Sequence, residues 1–330
     1  MKKYILLLLV ILAISGCVNN QKSGNLSGNV SGNLSGNLSG NVSGNIVNSS
    51  TANSLNNGEI KFITVGDPHI KSGNSISSGG NERLAKIVQF IDSSDVDFAV
   101  FLGDIGNTGS AKDYDEAKRI LSNMTKPYYT IAGNHDVKYC TPQPDGTITD
   151  ECTYNQAVMY EKYFGPQTKL VDYKGYQFIF AGIKAYYKNK NGKYIEDHFD
   201  WIFNFDRPDL DLNKPTILFM HGVLTQSPDP CNDWEPGFTR YGESMLPYLY
   251  KFNHLIATYS GHVHFDSEQI FDAGNSKGVE FITNDALVDA IGAGGGACSI
   301  PAGNYVGYSD INNGVLDYKF VPYDAANNST

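Results

Sequence analysis

The chain has 330 residues, with 35 acidic against 25 basic side chains and a formal net charge of −10. No basic stripe is available to track phosphates, which argues against a nucleic-acid binder, whereas an acidic shell still admits a phosphate ester where divalent cations sit in the site. Once a non-globular front is set aside, about 265 residues remain, an ordinary size for one α/β domain.

Met1-Lys2-Lys3 leads into an apolar run over residues 4–13, of export-signal length and too short for a comfortable membrane span. The run ends in Ile14-Ser15-Gly16-Cys17, which resembles the lipobox of exported lipoproteins. That resemblance implies a signal peptide over residues 1–17, cleavage before Cys17 and a diacylglyceryl thioether on its sulfur; an uncleaved anchor helix is the alternative. Both readings put the rest of the chain outside the cytoplasm, tethered to a membrane.

Residues 18–58 read as a flexible tether. From Ser23 to Asn45 the sequence repeats Ser-Gly-Asn followed by Leu or Val, a four-residue period that matches neither helix nor strand. Asn25, Asn29, Asn33, Asn37, Asn41 and Asn48 each begin an Asn-x-Ser sequon, so the segment is either a sugar-coated stalk or a plain polar spacer.

The folded part is expected over residues 59–324, with a disordered tail at 325–330. Residues 60–65 read as the first strand and end at Gly66-Asp67-Pro68-His69. Leu84, Ile87, Val88 and Ile91 follow at helical spacing, with Asn81 as N-cap. Residues 98–102 form a continuous apolar run, as buried parallel strands do, and end at Gly103-Asp104. Ser110 with Asp113 reads as a capping box opening a helix whose buried face is Tyr114, Ala117 and Leu121. A third strand over 128–132 ends on Gly133-Asn134-His135-Asp136. This alternation predicts a parallel core of βα units.

Beyond it, strands are expected over 176–183, 216–220 (ending on His221-Gly222) and 255–259 (ending on Gly261-His262-Val263-His264). Residues 279–283, 305–308 and 315–321 read as closing, mostly antiparallel strands, and together they predict a second sheet packed on the first. The glycine run at 292–296 lacks a following Lys-Ser/Thr, so it is a surface loop and not a phosphate loop.

Five apolar strands thus each end in metal-ligating residue types: Asp67 and His69, Asp104, Asn134 and His135, His221, then His262 and His264. Five of the seven histidines lie at this one predicted edge, leaving His198 and His254 as ordinary surface or capping residues. In open α/β sheets ligands sit outside the carboxyl ends of strands, so the convergence implies a shared metal site.

These blocks (Asp-x-His, Gly-Asp, Gly-Asn-His-Asp, an isolated His and Gly-His-x-His, in this order) closely resemble the calcineurin-like metallophosphoesterases. The resemblance covers nearly the whole folded part. It implies an α/β, four-layer sandwich of two mixed β-sheets flanked by helices. It also implies one metal on Asp67, His69, Asp104 and His264 and a second on Asp104, Asn134, His221 and His262, with Asp104 bridging. The stretch Asp200-Trp201-Ile202 resembles the family helix that leads into the His221 strand. Purple acid phosphatases of this superfamily carry a tyrosine ligand where this chain has Asn107, so the resemblance is nearer to the small phosphodiesterases with Asp-x-His.

Mixed imidazole and carboxylate donors suit two divalent ions such as Mn, Fe or Zn, and such a pair activates a water for attack on a phosphoester. His135 is left without a ligand role and is expected to protonate the leaving oxygen or stabilise the transition state, with Asp136 setting its tautomer. The expected activity is hydrolysis of small phosphodiesters. A phosphomonoesterase or nucleotidase, and a non-catalytic surface-binding protein with structural metals, are the alternatives. No nucleic-acid partner is expected. Of the remaining cysteines, Cys140 and Cys152 are expected to close the loop after Asp136, leaving Cys231 and Cys298 to pair. The loop over 223–238, with Trp234 and Glu235, is a candidate substrate wall.

Overall fold

The computed structural model describes residues 58–73, 80–137, 158–188, 194–198, 208–222, 246–262, 264, 267–272, 278–283, 290–291, 299–300 and 305–324. All of them belong to one compact unit, Ala52–Thr330; the other unit, Met1–Thr51, lies outside the described residues. So do the lipobox, the repeats, the sequons, all four remaining cysteines, the 200–202 helix, the 292–296 glycine run and the loop over 223–238.

In chain order the elements are β1 (Ile60–Val65), α1 (Gly80–Ser93), β2 (Phe98–Phe101), α2 (Ala111–Leu121), β3 (Tyr128–Thr130), α3 (Val158–Phe164), β4 (Thr168–Tyr173), β5 (Tyr176–Ala181), β6 (Ile183–Lys188), β7 (Tyr194–His198), β8 (Thr216–Met220), α4 (Leu246–Leu249), β9 (Leu255–Ser260), β10 (Ser267–Asp272), β11 (Gly278–Thr283), β12 (Ala290–Ile291), β13 (Ser299–Ile300), β14 (Tyr305–Asn312) and β15 (Val315–Pro322). One sheet has the order β15-β14-β1-β2-β3 and the other β10-β11-β9-β8-β5-β4, while β6-β7 and β12-β13 are separate two-stranded pairs. Strands β1, β2 and β3 are parallel, as are β5, β8, β9 and β11; β14, β15, β4 and β10 run antiparallel to their neighbours. Both main sheets are therefore mixed, as the resemblance implied. Among the described residues no helix is long and apolar enough to cross a membrane.

The parallel strands are largely apolar, β2 at every position, because each face of the first sheet is covered. On β1, Ile63 and Val65 pack with Leu84, Ile87, Val88 and Ile91 of α1 and with Tyr114, Ala117 and Leu121 of α2. The alternate residues, Ile60 and Phe62, face the second sheet and meet Phe178, Phe180, Phe219 and Tyr259. Phe62 lies edge-on to Phe219 and Tyr259, with ring centroids 5.6 and 5.4 Å away. A side-chain period of two thus separates a helix–sheet core from an aromatic sheet–sheet core.

Three details differ from the expectation. The strand expected over 176–183 breaks at Gly182, which packs against the Gln167 carbonyl and the Ala132 amide, and the chain resumes as β6. Strands β14 and β15 extend the first sheet beside β1, so the closing strands do not all build the second sheet. Asn81 lies inside α1 and does not cap it; its amide is spent on the Lys71 backbone instead, accepting at 3.2 Å and donating at 2.9 Å. The Ser110 cap does form, its hydroxyl accepting from the Asp113 amide.

Candidate metal centre

All the expected donors lie where apolar strands stop. Val65 leads to Asp67 and His69, Phe101 to Asp104, Thr130 to Asn134, Met220 to His221, and Ser260 to His262 and His264. The first three sites share one sheet and the last two the other, so packing of the two sheets brings them together. Main-chain bonds stitch the strand ends: the His69 amide donates to the Asp104 carbonyl at 2.8 Å, and Gly261 to His221 at 2.9 Å.

Two groups of donor atoms result. In the first, one donor atom from each of Asp67, His69, Asp104 and His264 lies within 4.8 Å of the others. His69 Nε2 is 3.2 Å from His264 Nε2 and 3.4 Å from Asp104 Oδ2, and His264 Nε2 is 4.0 Å from Asp67 Oδ2. In the second, Asn134 Oδ1 is 2.9 Å from His221 Nε2 and 3.0 Å from His262 Nδ1, with those two nitrogens 3.2 Å apart. Asp104 joins the groups, because its other oxygen, Oδ1, lies 3.6 Å from His221 Nε2.

The chemistry of these atoms calls for cations. His221 donates Nδ1–H to the Leu102 carbonyl at 2.8 Å, so in the neutral ring Nε2 carries a lone pair. That lone pair faces an amide oxygen and a carboxylate oxygen, with no proton of its own to share. Burial pushes the His69 imidazole well below its usual range, and the charges of His264, His135 and His221 add to the effect. Burial and His135 likewise bring His264 down to about 4. Burial raises Asp104 to about 6, against the pull of His135, whose charge and backbone N–H favour the carboxylate. Neutral imidazoles and buried carboxylates converging on one place fit divalent ions.

Glycines make room for this crowding. A Cβ on Gly103, which has a φ of +102°, would strike the His221 ring, and one on Gly133 would strike the Asp104 carboxylate. Five expected donors also hold left-handed backbone: Asp67, His69, Asp104, His262 and His264, with φ from 30° to 70°. Such residues cost on the order of 1–3 kcal/mol each and persist only where the surroundings over-determine them.

His135 stands apart from both groups. Its side chain is 44% exposed, and Nε2 lies 4.0 Å from Asp104 Oδ2. Burial disfavours its charged form, but Asp104, the Asn107 carbonyl and Asp136 outweigh that and raise its pKa.

The role expected for Asp136 is corrected by the structure. Its carboxylate does not meet the His135 ring; the ring's Nδ1 bonds the Asn107 carbonyl at 2.8 Å, and that carbonyl fixes the tautomer. Asp136 is instead buried and accepts from the amides of Ile105, Gly106 and Gly133, at 3.0, 2.9 and 3.0 Å, and from the Tyr114 hydroxyl at 3.2 Å. It ties the β2 strand end to the β3 strand end. Burial and the nearby Asp104 raise its carboxyl to about 7 in spite of the three amides. Sequence reasoning missed Asn107 because its carbonyl, shared by every residue type, does the work. His198 lies in β7 and His254 precedes β9.

No curated protein matches the chain. Among solved structures, a purple acid phosphatase from yellow lupin (Lupinus luteus) seeds aligns with a TM-score of 0.53 at 15% identity, over 82% of this chain. The chain spans only 52% of that phosphatase, and the likeness is one of fold. A dimetal phosphatase from Danio rerio aligns at 0.44 and 12% identity, over 80% of this chain and 99% of that one. A phosphopantetheinyl hydrolase from Mycobacterium tuberculosis aligns at 0.42 and 13% identity, over 70% and 91%. Residues 60–266, from the first strand through both His262 and His264, match the calcineurin-like phosphoesterases, and the chain belongs to that family.

Proposed function

We propose that this protein hydrolyses small phosphodiesters with the help of two divalent ions, Mn, Fe or Zn, on the outer side of a membrane. One observation carries the metal-dependent part: the two oxygens of Asp104 face two separate donor groups, as a bridging carboxylate must. Asp67, His69, Asp104 and His264 would hold one ion, and Asp104, Asn134, His221 and His262 the other. Once bound, such a pair supplies a low-pKa water and electrostatic stabilisation of the phosphoryl oxygens.

The remaining work falls to the protein. His221 turns its Nε2 lone pair toward the site by spending its Nδ1–H on Leu102. His135 spends Nδ1–H on Asn107, which leaves Nε2 to carry a proton outward from an exposed ring. With its pKa raised, that ring is a fitting acid for the leaving oxygen.

Asn107 in place of a tyrosine ligand, together with the Asp-x-His pattern, supports the diesterase reading over that of a purple acid phosphatase. The lipobox at Cys17 supports anchoring by lipid, and the repeats after it support a flexible tether. The test is turnover of bis(nitrophenyl) phosphate against nitrophenyl phosphate by the Mn-loaded protein. Faster turnover of the diester is expected; a preference for the monoester would replace the substrate class, and turnover of neither would remove the activity.

A further inference from the structure

Asp113 is a buried carboxylate, 4% exposed, that belongs to neither donor group. It is the third residue of α2, where the helix dipole favours a negative charge. Its side chain turns away from the helix. One oxygen accepts the Ser72 amide at 2.8 Å, and the other accepts the Thr108 amide at 3.1 Å and the Thr108 hydroxyl at 2.5 Å. Burial opposes the charge, but the bonds from Thr108, Ser72 and Ser110 prevail and hold the carboxyl below its usual range.

Ser72 lies three residues after His69, and Thr108 four residues after Asp104. Between these points the two strand-end loops run side by side. Ile70 donates to Ile105 at 3.0 Å, and Asn107 donates to Ile70 at 2.9 Å. Asp113 closes this ladder at its far end. Asn81 holds the adjoining Lys71 peptide from α1 and also reaches Glu116 of α2, at 3.2 Å. His69 and Asp104 both have left-handed backbone, with φ of 46° and 49°. Strained conformations of this kind relax unless something outside them holds the chain.

We propose that Asp113 is a positioning residue for the metal centre: by bracing the His69 loop against the Asp104 loop it sets the affinity of the centre for its cation. This inference rests on the reading of His69 and Asp104 as metal-binding residues. Residues that orient metal-binding side chains typically change affinity about 10- to 100-fold when replaced.

The test is calorimetric titration of Mn into the metal-free full chain, with the thermal midpoint of the metal-free protein as a parallel reading. In Asp113→Asn one acceptor oxygen becomes a donor facing N–H groups, so affinity is expected to fall about 10- to 100-fold. Asp92→Asn is the control: that carboxylate makes the same kind of brace, accepting from Thr125 and Lys126, but at the opposite end of the sheet. It is expected to lower the midpoint and leave Mn affinity unchanged. A lowered midpoint with unchanged affinity in Asp113→Asn would make the brace merely structural and overturn the inference. If Asp113→Asn does not fold, Asn81→Ala decides in its place; weaker Mn binding supports the brace, and wild-type binding overturns it. Failure of the wild-type protein to bind Mn would overturn the metal centre itself.

Discussion

His135 and Asp104 divide the chemistry at the residue scale. The exposed His135 ring, its Nδ1 held by a carbonyl, is placed to give a proton, and that help matters most when the leaving group is poor. His135→Ala should therefore cost about 10²–10⁴-fold on an alkyl or nucleoside ester and much less on a nitrophenyl ester, with metal content preserved. Equal losses on both would mean that the ring orients phosphate and donates nothing. Asp104 gives a second prediction, with a sign set by its environment. Burial raises its carboxyl to about 6, while His69 and His264, both lowered by burial, stay neutral through that pH. A metal must displace the carboxyl proton below about pH 6, so Mn affinity should fall as pH drops through that value, with protons released on binding. Titrations at pH 5 and 7 that give one affinity would contradict the environment described for Asp104. Asp104→Asn should abolish binding of both ions, because the neutral amide offers one oxygen where two are needed.

The working unit at the element scale is a strand that stops on a glycine turn. The end of β2 shows why glycine is required there. Gly103 has a φ of +102°, and the space for its Cβ is taken by the His221 ring from the other sheet. Gly103→Ala should lower stability by roughly 1–3 kcal/mol through backbone strain and should also loosen the second donor group. Denaturant unfolding together with metal stoichiometry measures both; a fully stable variant with two ions would show that the contact is slack. Much of this was legible in the sequence. The apolar runs of β1, β2, β8 and β9, the Ser110 cap and the donor at each strand end were all readable, since a parallel strand covered on both faces is largely apolar and its end is a fixed place. The short edge strand β4 was not, because a half-exposed edge carries no continuous apolar signal, nor was the β6–β7 pair, whose sequences mix charged with apolar residues.

For the whole molecule, two sheets converge on a centre in which buried carboxylates and neutral histidines face one another. Cations bound there stabilise the fold by mass action, about 2.7 kcal/mol at a hundredfold excess over Kd. Chelation should accordingly lower the thermal midpoint by roughly 5–10 °C, and added Mn should restore it. A midpoint indifferent to chelator would speak against a centre shared by the two sheets. Composition determined the acidic character of the chain, and motif order pointed to the donor set, because residue types in fixed order are what a sequence records. The left-handed backbone at five donors, the partner of His135 and the bracing work of Asp136 and Asp113 were decided only in three dimensions. Each depends on which strand ends lie side by side, and on carbonyls and amides that every residue carries alike.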